Sequence, residues 1–353
     1  MKILVAIALA TAAIALAAFI YRSEPDTLDQ RMKAEQAREK EAMHPSPSVV
    51  LKISAGNSST MARAPNALAE SPLAQEYNKA RNLKSLYDRL SAPGGASTAE
   101  AKFYLYRILA NCGKVKGMSR FSLGTPGKNR AEQRKELEAM IPLSSPDRDK
   151  RLALFDQRSA RCEGLETIEA TKADVDQLLA DAARDGDPKA QAHLAAPTSS
   201  SAPGEPMRLN MTDDQYHALQ AALASRDPEA IVIAGTALSS SYDDAVFQIG
   251  PDHIPLSERA SYEAWHLIAC EFGMDCGPDN ESLQIACIGL GQCAANTVQD
   301  QVFYYNVSPH DAQLIDQYRQ IFRNAVANND WSGITLSRQP NTSGSRSYFG
   351  IPP

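Results

Sequence analysis

GDPKAQAHLA, residues 186–195, is answered forty residues later by RDPEAIVIAGTA, residues 226–237. In both stretches an aspartate, Asp187 or Asp227, stands where a helix N-cap needs an oxygen for its orphan N–H groups. Pro188 and Pro228 follow at the first helical position, where a missing N–H costs nothing and the fixed φ already suits a helix. Ala190 and Ala230 leave room for close helix approach. Each copy follows a helical segment that ends near Ala183 or Ala224. The unit is therefore helix–turn–helix, with a period of about 40 residues that falls in the range of helical solenoids.

The flanking sequence carries the same local signals. Leu73, Tyr77, Ala80, Leu83, Leu86, Tyr87 and Leu90 recur at helical spacing, and Pro93-Gly94-Gly95 ends that run. Ser97-Thr98-Ala99-Glu100 reads as a capping box opening the next helix, with Leu105, Ile108, Leu109 and Cys112 on one face. The two make an antiparallel hairpin. Gly113 to Lys128 reads as a loop and Asn129 to Met140 as a polar helix. Ser145-Pro146 starts a helix through Cys162, and another spans Thr171 to Arg184. Thr212 to Gln215 is a second capping box. Tyr262, Trp265, Ile268, Ala269 and Phe272 form an apolar helical stripe, and Ser308-Pro309 opens the last helix, which Asn328-Asn329 ends. No series of alternating strands stands out; Ile231-Val232-Ile233 is β-like but sits inside a helical pattern. With aromatics at 7% and hydrophobics at 43%, the composition favours helices around an adequate core.

The GDPKAQAHLA segment and its partner resemble Sel1-like repeats, relatives of the tetratricopeptide repeat. The second copy lacks the glycine before its aspartate, and a tandem array of near-identical units is absent. The resemblance implies an α-solenoid that binds proteins on its concave face; the alternative is an irregular helical bundle with two Asp-Pro caps. The C-terminal segment AWHLIACEFGMDCG, with the later cysteines and the closing NNDW, resembles a group of uncharacterised exported bacterial proteins. That likeness implies export and supplies no activity.

The expected fold is all-α: helical hairpins, partly Sel1-like, with a disulfide-stapled helical segment at the C-terminal end. Residues 71–195 make a first helical lobe, 196–208 a Pro- and Ser-rich linker, and 209–336 a second lobe. The alternative makes 196–208 a long loop within one helical array. Residues 23–70 read as a polar stalk and disordered linker, and 337–353 as a disordered tail.

Residues 1–22 contain an uncharged apolar run from Ile3 to Ile20. Its length suits an uncleaved membrane anchor; a cleaved signal and a buried helix are the alternatives. Arg22, Arg31, Lys33, Arg38 and Lys40 follow the run, and the positive-inside rule alone keeps the following chain in the cytoplasm. The cysteines argue the other way. Cys112, Cys162, Cys270, Cys276, Cys287 and Cys293 are even in number, and the last four are separated by five, ten and five residues. Persistent disulfides need an oxidising compartment. The chain is expected in the periplasm, held at the inner membrane through residues 3–20, or periplasmic or secreted if the N-terminus is cleaved. Cys112 pairs with Cys162. The quartet is open among three pairings, of which Cys270–Cys287 with Cys276–Cys293 suits the parallel offset and the local Cys270–Cys276 with Cys287–Cys293 closes two small loops.

Chemistry is sparse. Five residues between cysteines are too many for the tight turn of a zinc site, and no C-x-x-C redox pair occurs. The six histidines are scattered, and no HExxH, nucleophile elbow or phosphate loop is present. No cofactor or metal is expected. A net charge of −6 argues against a nucleic-acid binder. The reading is a non-catalytic, protein-binding scaffold or adaptor of the cell envelope with an unidentified envelope protein as partner. The alternative is an envelope enzyme, such as a glycoside-cleaving lytic enzyme, with Glu263 or Glu271 as an acid in a helical cleft. A cleft gathering Glu263, Glu271 or His266 favours the enzyme; a groove of aromatic and small residues favours a partner.

Overall fold

In the computed structural model, local caps set the helix starts. Ser71 Oγ accepts from Ala74 N at 2.9 Å and opens α1 (Pro72–Lys79). Thr171, Thr212 and Ser308 each make a reciprocal capping box, opening α6 (Lys172–Arg184), α8 (Asp213–Ala224) and α13 (Pro309–Asn328). The structure describes residues 70–116, 130–198 and 209–338. The N-terminal anchor or signal (1–22), the stalk and linker up to residue 69, residues 117–128 of the expected loop with Asn129 of the expected polar helix, most of the 196–208 linker and the tail from residue 339 lie outside the described residues.

The remaining helices are α2 (Lys84–Ser91), α3 (Ala99–Cys112), α4 (Arg130–Met140), α5 (Arg148–Arg161), α7 (Pro188–Ala195), α9 (Pro228–Leu238), α10 (Glu258–Glu271), α11 (Glu281–Leu290) and the short α12 (Val298–Gln301). A π-helical turn, Val302–Asn306, continues α12. The described chain is thus mostly helical, with a disulfide-stapled C-terminal segment.

Several boundaries differ from expectation. The first apolar run is two helices, because Ala80 turns extended and the Leu83 N–H donates to the Arg161 carbonyl at 2.8 Å. Thr98, not Ser97, caps α3. Glu100 is then one position too early to close the box, and its carboxylate instead accepts from Ser71. The helix expected from Ser145-Pro146 begins at Arg148, after a turn in which Arg148 N donates to the Ser145 carbonyl.

Strands were the larger omission. β1 (Lys114–Lys116) pairs in parallel with β2 (Glu169–Thr171). β3 (Ala245–Ile249) is the centre of an antiparallel sheet, flanked by β4 (Ile254–Pro255) and β5 (Ile334–Arg338). Ile249 faces Ile334 and Ala245 faces Arg338, so ordered structure runs past residue 336 into the expected tail. Burial alternates along β3: Ala245, Phe247 and Ile249 face the core.

Two main cores organise these elements. One gathers Tyr77, Phe103, Tyr104, Ile108 and Val175 from α1, α3 and α6. The other surrounds Trp265, whose ring stacks on Phe322 with centroids 4.0 Å apart and planes 4° apart. Gly235 of α9 faces that indole so closely that a Cβ there would collide with it. Helices α7 and α8, on either side of the Pro- and Ser-rich stretch, pack against each other, so the helical array continues across it.

The cysteines form three disulfides: Cys112–Cys162, Cys270–Cys276 and Cys287–Cys293. The quartet therefore pairs locally, and the crossed pairing of Cys270 with Cys287 and Cys276 with Cys293 is not made. Gly273, with φ of 112°, reverses the chain after α10 and returns Cys276 to within 5.7 Å (Cα–Cα) of Cys270. Gly291, at φ 72°, does the same after α11 for Cys293.

Candidate functional site

The two Asp-Pro units share one backbone geometry. Gly186 and Arg226, the residues before the caps, are both left-handed, at φ 96° and 61°. Asp187 Oδ1 accepts from Ala190 N at 2.9 Å, and Asp227 Oδ1 accepts from Glu229 N and Ala230 N, both at 2.9 Å. Pro188 and Pro228 occupy the first turn of α7 and α9.

The second oxygen of each aspartate turns to a common partner. Lys189 Nζ lies 3.2 Å from Asp187 Oδ2, 3.2 Å from Asp227 Oδ2 and 3.5 Å from Glu100 Oε1. It also sits over the rings of Phe103 and Tyr104, 5.4 and 5.5 Å from their centroids. Lys189 is only 3% exposed. Burial disfavours its charge, but the carboxylates of Asp227, Asp187 and Glu100 outweigh that and hold its pKa above the ordinary lysine value. Asp187 is pushed up by burial despite the lysine. One lysine thus ties the caps of α7 and α9 to α3.

The ionic contacts continue outward. Arg107 pairs with Glu229, whose carboxylate also accepts from Tyr104 Oη at 3.0 Å. Arg158 Nη2 meets Glu281 at 2.6 Å. These groups neutralise one another at a junction of five helices.

The face made by α6, α7 and α8 is different. An open groove of about 640 Å³ runs there, lined by Ala180, Ala183, Ala195, Ala218 and Ala221. Leu194 stands in it, 51% exposed. Arg184 and Asp214 put one charge of each sign on its lining. The groove has the small residues expected of a partner surface and lacks the aromatics.

The acid candidates are not gathered in one cleft. Glu271 is 2% exposed and held by two arginines, with Arg319 Nη2 and Arg323 Nε each 2.6 Å away. Glu263, eight residues earlier on α10, accepts from Asn306 Nδ2 at 2.9 Å, and burial raises its pKa. His266 bonds the Tyr262 carbonyl at 2.9 Å, and burial lowers its pKa. Among the described residues no three histidine, cysteine or acidic side chains are grouped to hold a metal ion. No helix among them is long and apolar enough to cross a membrane.

Sequence reasoning passed over Lys189, because a lysine at the second position of a helix reads as solvated. It also passed over the exposed pair Tyr304-Tyr305, although two tyrosines just before the Ser308 cap were a visible signal. A comparison of the chain with protein-family models, with curated proteins and with solved structures finds no match.

Proposed function

We propose that the chain is a protein-binding scaffold or adaptor of the cell envelope, using the alanine-lined groove on α6, α7 and α8 to hold a helix of an envelope protein. The groove carries this reading. Small side chains on three neighbouring helices let a partner helix approach closely, and Leu194 offers an apolar anchor beside them. The paired left-handed turns and Asp-Pro caps support a Sel1-like character for this part of the array. Three disulfides suit an oxidising compartment and support export, with the body periplasmic. Under this reading residues 3–20 hold the chain at the inner membrane, or are removed to leave it periplasmic or secreted. The non-catalytic assignment agrees with Glu271 being neutralised by Arg319 and Arg323.

The test fills the groove. A photo-crosslinking residue at Leu194 of the full chain, in solubilised envelope, is expected to trap a defined partner. Ala218→Arg, which puts a long charged side chain into the groove at a half-buried position, abolishes that product. An identical crosslinking pattern in wild type and Ala218→Arg refutes the reading.

A further inference from the structure

The turn Val302–Asn306 is π-helical, a geometry that is rare and that recurs at functional sites. Val302 is buried and Asn306 turns inward to Glu263, while Tyr304 and Tyr305 between them face solvent, 75% and 43% exposed. From α10, Arg259 reaches the same turn, its Nε donating to the Asn306 carbonyl at 3.0 Å. Tyr262, 38% exposed, follows Arg259 by three positions and so lies on the same face of that helix. Two glutamines complete the polar floor. Gln292 Nε2 donates to Asn306 Oδ1 and Gln301 Nε2 donates to Gln292 Oε1, each at 3.2 Å.

Glu263 is the second, independent observation. Its side chain is almost wholly buried, and both of its polar contacts fall on one oxygen: Asn306 Nδ2 at 2.9 Å and Arg259 Nε at 3.5 Å from Oε1. Oε2 takes no hydrogen bond from the described residues and is not sealed from solvent. A carboxylate oxygen is therefore left to accept, beside the π-helical turn that carries Tyr304 and Tyr305. Folding alone does not call for this. Two large aromatics left in water add little to the core, and Asn306 and Arg259 satisfy only one of the two oxygens of this buried acid.

The geometry points to a carbohydrate site: a short run of a neutral glycan chain bound by Tyr304, Tyr305, Glu263 and the amides around Asn306. A pyranose ring has an apolar C–H face, which suits a tyrosine ring, and a fringe of hydroxyls that donate and accept. Glu263 Oε2 accepts from such a hydroxyl, and the tyrosine hydroxyls stay at the wet edge. Arg259 already offsets the Glu263 charge, so the site favours an uncharged ligand over an acidic or basic one. A protein partner fits less well, since the cores of such interfaces are apolar and here the floor is built of amides and a carboxyl. This site shares no residue with the alanine groove and does not depend on it.

The full chain is titrated calorimetrically with two probes, cellohexaose and the hexamer of N-acetylglucosamine, which separate plain hexose from acetamido-sugar recognition. Saturable binding of at least one is expected. Tyr304→Ala and Tyr305→Ala each weaken it about tenfold or more, whereas Tyr304→Phe, which keeps the ring face, stays within about twofold. Glu263→Gln, which leaves shape but removes the strong acceptor, also weakens it. Tyr304 is mostly exposed, so Tyr304→Ala should melt like wild type and report on binding alone. The proposal is overturned if neither oligomer binds at millimolar concentration, or if binding is unchanged in Tyr304→Ala. It is equally overturned if Tyr304→Ala removes a protein crosslink while leaving sugar binding intact.

Discussion

Replacing Lys189 by methionine keeps most of the side-chain volume and removes the one cation shared by Asp187, Asp227 and Glu100. Each aspartate oxygen lies 3.2 Å from Nζ. At an effective dielectric near 20, one such contact is a gross attraction of about 5 kcal/mol. Desolvating the lysine offsets most of that sum, so the net worth of the ion cluster is small. Its loss is different in kind: Lys189→Met leaves Asp187 buried beside Asp227 with no counter-charge, a situation that costs about 3–5 kcal/mol. The pH dependence follows from Asp187, which burial already holds above the ordinary aspartate value. Without the lysine its folded-state pKa rises further, so the folded state of the variant binds a proton more readily than the unfolded chain. Its stability therefore falls as pH rises through that pKa and recovers as pH drops, and the loss relative to wild type is larger near pH 7 than near pH 5. Urea unfolding followed by circular dichroism at the two pH values measures this. Asp227→Asn in the Lys189→Met background, which removes one of the stranded charges, is expected to restore more than about 1 kcal/mol. A loss below about 1 kcal/mol near pH 7, or equal losses at both pH values, refutes the claim that this lysine neutralises the buried caps.

The disulfides should rank by loop length. Cys112 and Cys162 lie 50 residues apart, and the chain-entropy relation assigns their bond about 4 kcal/mol. The Cys287–Cys293 bond, with a separation of 6, is worth about 2 kcal/mol, so the double alanine variant of the first pair should show the larger drop in urea midpoint. Gly235→Ala drives a methyl into the Trp265 indole and is expected to cost about 1–3 kcal/mol and to change the near-ultraviolet signal of the Trp265–Phe322 stack. An unaltered signal and midpoint would mean that α9 and α10 do not pack as described.

What could be read ahead of the structure follows the range of the interaction. A cap involves a side chain and an N–H two or three residues away, so Asp187, Asp227, Thr212 and Ser308 announce their helices whatever surrounds them. Glu100 marks the limit of that logic: a shift of one residue in the cap changed its partner from its own helix to Ser71. Of the candidate sites, the cysteines were legible as a set, and Glu263 and His266 were named without their setting. Lys189 was not singled out, since what distinguishes it is two acids and two rings brought from α3 and the cap of α9, beside the Asp187 cap of its own helix.

The sequence by itself determined a mostly helical chain, the positions of its main caps, and six cysteines suited to three bonds, because these depend on neighbours along the chain. Tertiary structure alone decided that β3 has a partner some ninety residues away in β5 and that Gly273 and Gly291 turn the quartet into two local staples. It also decided that one lysine joins both repeat caps. Each of these needs groups distant in sequence, or a reversal of direction, to be fixed by burial around Trp265 and Tyr104. No local pattern encodes which of several chemically equal partners that burial selects.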